Sequence, residues 1–253
     1  MLNLIRADLY RYLRRPAYLA MIAVPLMLLL LGSLLVVVLD NKLFQAGDGG
    51  ELLALVMTSY PTLGIWFVLM AGDLCFSDEY QHGTLKNAAA FGYRRAEIYF
   101  ARLLSSLIYS VVALILLLSL GYTILWSIFG GAWEELGLMI KWTGLQLLYA
   151  LPLWMGFLSL ANALLFYFRR DWSAGLLFAV LVFLPSTLFS VMAQVVNPIF
   201  GILREFLPSI RLSQVGQMAW GRGDMMLNWA IGLAFVVLTS GIGVVLFQRR
   251  ELH

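Results

Sequence analysis

The stretch LLSSLIYSVVALILLLSLGYTILWSIFGGAW, residues 103–133, contains no charged side chain. A helix needs about 20 predominantly apolar residues to cross the hydrocarbon core of a bilayer, and this run is longer than that. Because lipid offers the backbone no hydrogen-bond partners, a segment inside it must pair its own N–H and C=O groups, as a helix does. The run therefore predicts a membrane-spanning helix.

The rest of the chain has the same character. Of its 253 residues, 62% are hydrophobic and only 12% are charged, whereas soluble domains are about half apolar and about a quarter charged. Both differences favour lipid as the solvent and predict an all-α integral membrane protein with a single membrane domain over residues 1–253. The six predicted spans are residues 17–39, 52–75, 98–126, 138–168, 172–196 and 226–248.

Lysine and arginine predict the orientation of these spans, because short loops rich in them stay on the cytoplasmic side. Twelve of the 17 basic residues fall on one side of the predicted topology, including the arginine pairs at 14–15, 169–170 and 249–250. Both termini are therefore predicted to be cytoplasmic, in a multi-pass protein of the cell membrane. The net charge of +3 reflects this topology and does not indicate a nucleic-acid partner.

Residues 1–16 are predicted to form an amphipathic helix that lies along the membrane surface, and Pro16 redirects the chain before the first span. A passive anchor that fixes the topology and a mechanical element are both compatible with this pattern. The apolar stripe consists of Leu2, Ile5, Leu9, Tyr12 and Leu13, with Arg11, Arg14 and Arg15 away from it.

The longest polar stretch, FSDEYQHGTLKNAAAFGYRRAEIYF at residues 76–100, follows the second predicted span. Ser77 is a suitable N-cap, the acidic residues after it suit the first turn, and Gly92 suits a left-handed stop, so a cytoplasmic helix is predicted over 77–95. Its narrow apolar face suits docking into a groove of a partner, although a solvated connecting loop fits the same pattern. The arginines at 94, 95 and 102 are expected to meet lipid phosphates or to snorkel as the chain returns to the bilayer.

The same stretch carries an acidic-x-x-x-Gly-Thr-Leu pattern, formed by Glu79, Gly83, Thr84 and Leu85. Together with six spans, cytoplasmic termini and an amphipathic N-terminal helix, the pattern resembles the type-2 permease subunits of ATP-binding cassette (ABC) transporters. The resemblance is strongest to the branch of antimicrobial-peptide and lantibiotic export and immunity.

In that family the helix after the second span is a coupling helix, which sits in a groove on an ATPase subunit. The resemblance therefore implies two ATPase subunits that bind ATP and Mg, and a second permease subunit that forms a homodimer or heterodimer with this chain. This chain itself would bind no cofactor. The implied ATPase-coupling residues are Asp78, Glu79, Gly83, Thr84, Leu85, Lys86, Arg94 and Arg95.

The residue inventory agrees with a transport subunit that is not an enzyme. The sequence has no G-x-x-x-x-G-K-[ST] phosphate loop, and none of its lysines follows a glycine, so ATP hydrolysis must reside in separate subunits. His82 and His253 are the two histidines, and both fall in predicted cytoplasmic segments. Neither a buried Ser/His pair nor an H-E-x-x-H zinc site can therefore be assembled, and no metal site is predicted.

Residues 197–225, which follow the fifth predicted span, mix prolines, glycines and aromatic side chains. The resemblance implies an extracellular re-entrant gate here, with Phe200, Leu203 and Phe206 as its lid. A segment that lies on the surface, pinned at the interface by Phe206 and Trp220, is the alternative.

Gln146, Asn162 and Gln194 are the main polar side chains inside the predicted spans, and they are candidates for the transport pathway. Side chains of this kind more often bond one helix to another than bind substrate. The predicted substrate is hydrophobic or amphipathic, such as an antimicrobial peptide, a drug or a lipid-like molecule. A non-transporting scaffold or assembly protein and an ATP-independent carrier are the alternatives, although the absence of charge at mid-depth weighs against ion-coupled transport.

Overall fold

The computed structural model describes residues 2–14, 16–39, 59–73, 92–129, 133–168, 171–217 and 221–248. Within these ranges all regular structure is helical and no strand occurs, which confirms the all-α prediction for this part of the chain. The helices are α1 (Leu2–Arg14), α2 (Pro16–Leu39), α3 (59–73), α4 (Arg95–Phe129), α5 (Trp133–Tyr167), α6 (Asp171–Val195), α7 (Ile199–Glu205), α8 (Pro208–Gly216) and α9 (Arg222–Gln248).

Among the described residues, four helices are long and apolar enough to cross a membrane: α4, α5, α6 and α9. A fifth span results if α1 and α2, which are bent by 56° relative to each other, form one broken span. Helix α3 is described over 59–73 only, a length of about 22 Å, which is shorter than the hydrocarbon core. The described residues thus support four or five spans, and the six-span topology stays a prediction.

Helix α5 is the centre of the bundle, with 67% of its most apolar stretch buried. It packs tightly against α9 at positions that lack a side chain. A Cβ on Gly156 would meet the ring of Phe235, and a Cβ on Gly232 would overlap the backbone of Pro152. Small residues allow two membrane helices to approach this closely, so α5 and α9 form a close-packed pair.

The largest cluster of buried apolar side chains joins α3, α4, α5, α6 and α8. Trp154 of α5 secures α3 within it, because its indole N–H donates to the carbonyl of Pro61 at 3.0 Å. Gly64 makes room for that indole, since a Cβ at this position would overlap the ring. The cluster includes Ile65, Leu118, Leu153, Phe157, Phe178 and Leu212.

Candidate functional site

Two of the eight predicted coupling residues, Arg94 and Arg95, lie within the described residues. Arg95 begins α4, and the backbone N–H of Arg94 donates to Glu97 Oε2 at 3.0 Å, which satisfies an amide at the helix start. Gly92 has a φ of +85°, as expected for a left-handed stop. Residues 92–94, which were predicted within the helix 77–95, are therefore not helical. The other six, Asp78, Glu79, Gly83, Thr84, Leu85 and Lys86, lie outside the described residues.

Helix α1 packs along α4, and its buried face differs from the predicted apolar stripe. Of the predicted stripe, Ile5 and Tyr12 are buried in the protein and Leu9 is half-buried. Between them, one turn from each, lies Asp8, which is only 3% exposed. A carboxylate thus occupies the middle of the face that was predicted to be apolar, because that face meets protein.

The partner of Asp8 is Arg102, in the second turn of α4. The guanidinium of Arg102 donates to Asp8 Oδ1, and the hydroxyl of Ser105 donates to Asp8 Oδ2 at 3.2 Å. Arg102 is 6% exposed and Ser105 is fully buried. The expectation that Arg102 meets lipid phosphates or snorkels is therefore wrong, because its charge is neutralised inside the protein. We call Asp8, Arg102 and Ser105 the α1–α4 ion-pair cluster.

Electrostatics explain why this cluster needs several donors. Burial raises the pKa of the Asp8 carboxyl, whereas the positive charges of Arg102 and Arg11 act in the opposite direction. The guanidinium of Arg11 lies 3.4 Å from Asp8 Oδ1. Removing two charges from water is costly, so a buried pair is tolerated only when further hydrogen bonds satisfy it. Ser105 supplies one such bond.

Three tyrosine rings extend the contact to α2. Tyr12 of α1, Tyr18 of α2 and Tyr109 of α4 pack against one another in tilted and edge-on geometries, with ring centroids 4.6–5.6 Å apart. The hydroxyl of Tyr109 donates to the carbonyl of Tyr18 at 2.9 Å. Because edge-on and tilted rings attract each other in fixed geometries, this cluster holds the bend between α1 and α2 against α4.

At the opposite end of the bundle, α8 is seated on α5. Leu212 and Val215 of α8 are buried, and the amide of Gln146 donates to the carbonyl of Val215 at 3.4 Å. The hydroxyl of Tyr149 donates to the carbonyl of Gly221, just before α9, at 3.2 Å. Gln146, a predicted pathway residue, therefore holds α8 in place.

Helix α7 has no buried residue, and it folds back along the end of α6. The rings of Phe189 and Phe200 lie 6.1 Å apart, and a Cβ on Gly201 would touch Ala193. Of the three predicted lid residues, Phe200 is half-buried on α6, while Leu203 and Phe206 are 46% and 47% exposed. The described part of the chain therefore leaves Leu203 and Phe206 uncovered. Trp220 lies outside the described residues.

The two remaining pathway candidates differ in their surroundings. Asn162 of α5 is fully buried, and its amide donates to Ser106 Oγ of α4 at 3.3 Å. Its Oδ1 faces Gly72 of α3. Gln194 of α6 is exposed on the bundle surface. Asn162 thus links helices, in line with the usual role of buried amides in membranes.

A polar seam between α5 and α9 had not been predicted. The hydroxyl of Ser159 lies 2.7 Å from that of Ser240, and Thr239 Oγ1 donates to Ser159 Oγ at 2.8 Å. The hydroxyl of Tyr99 in α4 donates to the carbonyl of Ser159 at 3.4 Å. Adjacent hydroxyl residues at 239–240 near Gly243 were the available signal, since small polar residues favour helix contacts in membranes.

One side of the bundle is left uncovered by the residues that the structure describes. Only 11% of the most apolar stretch of α6 is buried. Trp66 of α3 stacks on Phe183 of α6 with centroids 5.5 Å apart, and the two side chains stay 43% and 36% exposed. Exposed side chains of α3 and α6 thus meet at this pair, and we call the surface around it the α3/α6 face.

No group of three or more His, Cys, Asp or Glu side chains that could hold a metal ion occurs among the described residues. A cavity of about 420 Å³ opens between α4 and α5 beside Tyr122, Trp126 and Thr143. Its lining is largely apolar, and its polar groups include the hydroxyls of Tyr122 and Thr143, which lie 2.7 Å apart. It therefore suits an apolar or weakly amphipathic molecule.

Comparison with known proteins adds one match. The model of the family described as ABC-2 family transporter protein matches residues 4–186, from α1 into α6. The matched range includes the α1–α4 ion-pair cluster and the predicted coupling helix. No curated protein matches the chain.

Proposed function

Because the chain belongs to the ABC-2 family of transporter proteins and has several apolar helices long enough to cross a membrane, it is a multi-pass membrane protein of the permease type, and we propose that it is the membrane-spanning subunit of an ABC exporter. Its family implies ABC ATPase partners, and the chain itself has no phosphate loop. We propose that two ATPase subunits, which bind ATP and Mg, lie on the cytoplasmic side, and that both termini of this chain lie on the same side.

The observation that carries the proposal is the continuity of α4. This helix begins at Arg95, directly after the predicted coupling helix, and runs without interruption for 35 residues, a length of about 50 Å. A helix of this kind is stiff enough to carry a displacement from one side of the membrane to the other. Residues 77–95 are therefore well placed to act as the lever that the ATPase moves.

A second permease subunit completes the pathway in this proposal. Helix α6 is the least buried of the four long helices that could cross a membrane, and the α3/α6 face contains the exposed aromatic side chains of Trp66 and Phe183. Such side chains are typical of interface hot spots. We therefore place the second subunit, identical or related, against this face and the substrate pathway between the two subunits.

On the other side of the membrane, α7 and α8 form the proposed re-entrant gate. Support comes from the fold-back of α7 along α6 and from the seat of α8 on Gln146. Leu203 and Phe206 are exposed in the single chain, where they are available to meet the same residues of the second subunit. The gate would then open when the two subunits separate.

The proposed substrate is hydrophobic or amphipathic, in keeping with the apolar bundle and with the resemblance to antimicrobial-peptide export. Lantibiotic-like peptides are the first class to test, followed by drugs and lipid-like molecules. The largely apolar cavity between α4 and α5 is consistent with such chemistry.

Co-expression with a candidate cassette ATPase tests the proposal. We expect a stable complex in lipid nanodiscs whose ATP turnover rises when an amphipathic peptide is added. A scaffold would form the complex without stimulation, and an ATP-independent carrier would not form it. Either of these results would contradict the proposal.

A further inference from the structure

We propose that the α1–α4 ion-pair cluster locks α1 to the cytoplasmic end of α4, so that the two helices move as one body and Asp8 and Arg102 act as positioning residues for coupling. The inference rests on the proposed function, because the movement that it describes is the one imposed by the ATPase. It decides between the two roles that the sequence left open for α1, passive anchor and mechanical element.

The buried face of α1 argues against a simple lipid anchor. An anchoring amphipathic helix places apolar side chains in the bilayer and keeps its charges in water. Here Asp8, at the centre of the buried face, is 3% exposed and meets an arginine of another helix. The opposite side, with Arg6 and Tyr10, is exposed. The side chains on the buried face of α1 thus complement α4.

Successive contacts fix the register of the two helices. Leu4 packs against the cluster that contains Ile98, Asp8 bonds Arg102, and the hydroxyl of Tyr12 lies 3.4 Å from Ser105 Oγ. Residue numbers rise together along both helices, so α1 and α4 lie side by side and parallel over the first turns of α4. Helix α1 therefore flanks the part of α4 that follows the predicted coupling helix.

Directional hydrogen bonds resist sliding between α1 and α4, which apolar packing alone would not. Two apolar helix faces can slide or rotate with little change in contact, whereas a buried carboxylate that loses its donors is left uncompensated. Asp8 has donors from Arg102 on one oxygen and Ser105 on the other. Any slip of α1 along α4 would break both bonds together, so the cluster resists relative motion of the two helices.

Removing the charges of Asp8 and Arg102, singly and together, should change ATP turnover in a characteristic pattern. Removing one member of a buried pair leaves an unpaired charge, whereas removing both members together is far better tolerated. Asp8→Asn and Arg102→Gln should therefore each lower the ratio of peptide-stimulated to basal ATP turnover at least about fivefold, and the double variant should recover part of the loss. Arg102→Lys, which keeps the charge, should retain most of the wild-type ratio.

Arg6→Gln is the matched control, because it removes one positive charge from the exposed side of the same helix. It should leave the ratio within about twofold of wild type, as expected for an exposed charge. The amount of intact complex and its melting temperature, measured for every variant, separate loss of fold from loss of coupling. The double variant keeps the test decisive if a single variant does not fold.

The rigid-body claim has its own measurement. Spin labels at Tyr10→Cys and Phe100→Cys, two exposed sites on α1 and α4, are introduced after replacing Cys75 by serine. In the wild-type background the distance between the labels should be the same with and without trapped ATP. In Arg102→Gln the distribution of distances should broaden. A distance that changes with nucleotide in the wild type would overturn the inference, as would an unchanged turnover ratio in both single variants.

The outcomes separate the inference from the proposed function. If the wild-type complex assembles and is stimulated but the cluster variants behave like Arg6→Gln, only the inference fails. If the wild-type chain forms no complex or shows no stimulation, both the proposed function and the inference fail.

Discussion

Helices α5 and α6 look alike in sequence and differ sharply in surroundings. Both are charge-free over a span, and α6 is the more hydropathic of the two. Yet 67% of the most apolar stretch of α5 is buried, against 11% for α6. In a membrane, lipid and protein interior are equally apolar, so hydropathy does not say which helix lies inside. The contacts of the small and polar side chains differ, because Gly156, Ser159 and Asn162 of α5 meet neighbouring helices. Thr187 and Gln194 of α6 are exposed instead.

The largest effect is expected where α5 meets α9. Gly232→Leu would drive a side chain into the backbone of Pro152, and a rigid backbone cannot yield as a flexible side chain does. We expect a loss of at least about 3 kcal/mol of stability and little monodisperse protein. Thermal unfolding in detergent measures this loss.

Gly241→Leu is the control on the same helix, because a Cβ at Gly241 meets open space. It should express and melt like the wild type. Equal loss in both variants would mean that the α5–α9 contact is not the tight one.

The next largest effect is expected at α6, the exposed helix of the pair. If a second subunit covers the α3/α6 face, Trp66→Ala and Phe183→Ala should each weaken association by about 2 kcal/mol without unfolding the single chain. Cross-linking in nanodiscs, or single-molecule counting at low protein density, reports the association.

Leu116→Ala provides the comparison, since Leu116 is 46% exposed on α4, away from that face. It should leave association unchanged. If all three variants associate like the wild type, the α3/α6 face is covered by lipid.

The smallest effect distinguishes polar side chains on the two helices. Asn162→Leu removes the bond from its amide to Ser106 and should cost about 1 kcal/mol. Gln194→Leu, on the exposed surface of α6, should cost nothing measurable. The melting temperatures of the two variants measure these costs. Equal values would mean that the buried and the exposed amide contribute equally to stability.

Much of the fold follows from local patterns. Apolar run length predicts the helices that became α4, α5, α6 and α9, and Gly92 adopts the positive φ that its position suggested. Ile5 and Tyr12 belong to the apolar stripe predicted for the first helix, and both are buried in the protein. These features depend on the chain near each residue, which is why a sequence reveals them.

The features that escaped prediction depend on residues far apart. Asp8 and Arg102 are separated by more than ninety positions, and neither carries a mark of its partner. Arg102 looked like a cation for lipid phosphates because it follows Arg94 and Arg95 where the chain returns to the bilayer. The carboxylate that pairs with it lies on another helix. The exposure of α6 likewise follows from packing, since its composition resembles that of α5.

The central claim is that residues 77–95 form a cytoplasmic lever that contacts a separate ATPase. A single cysteine at Thr84→Cys, in a chain with Cys75 replaced by serine, tests it through cross-linking to the co-expressed ATPase in intact membranes. We predict a cross-link that depends on nucleotide and protection from membrane-impermeant thiol reagents added outside the cell. Labelling of Thr84→Cys from outside, or no cross-link in any nucleotide state, would contradict the account.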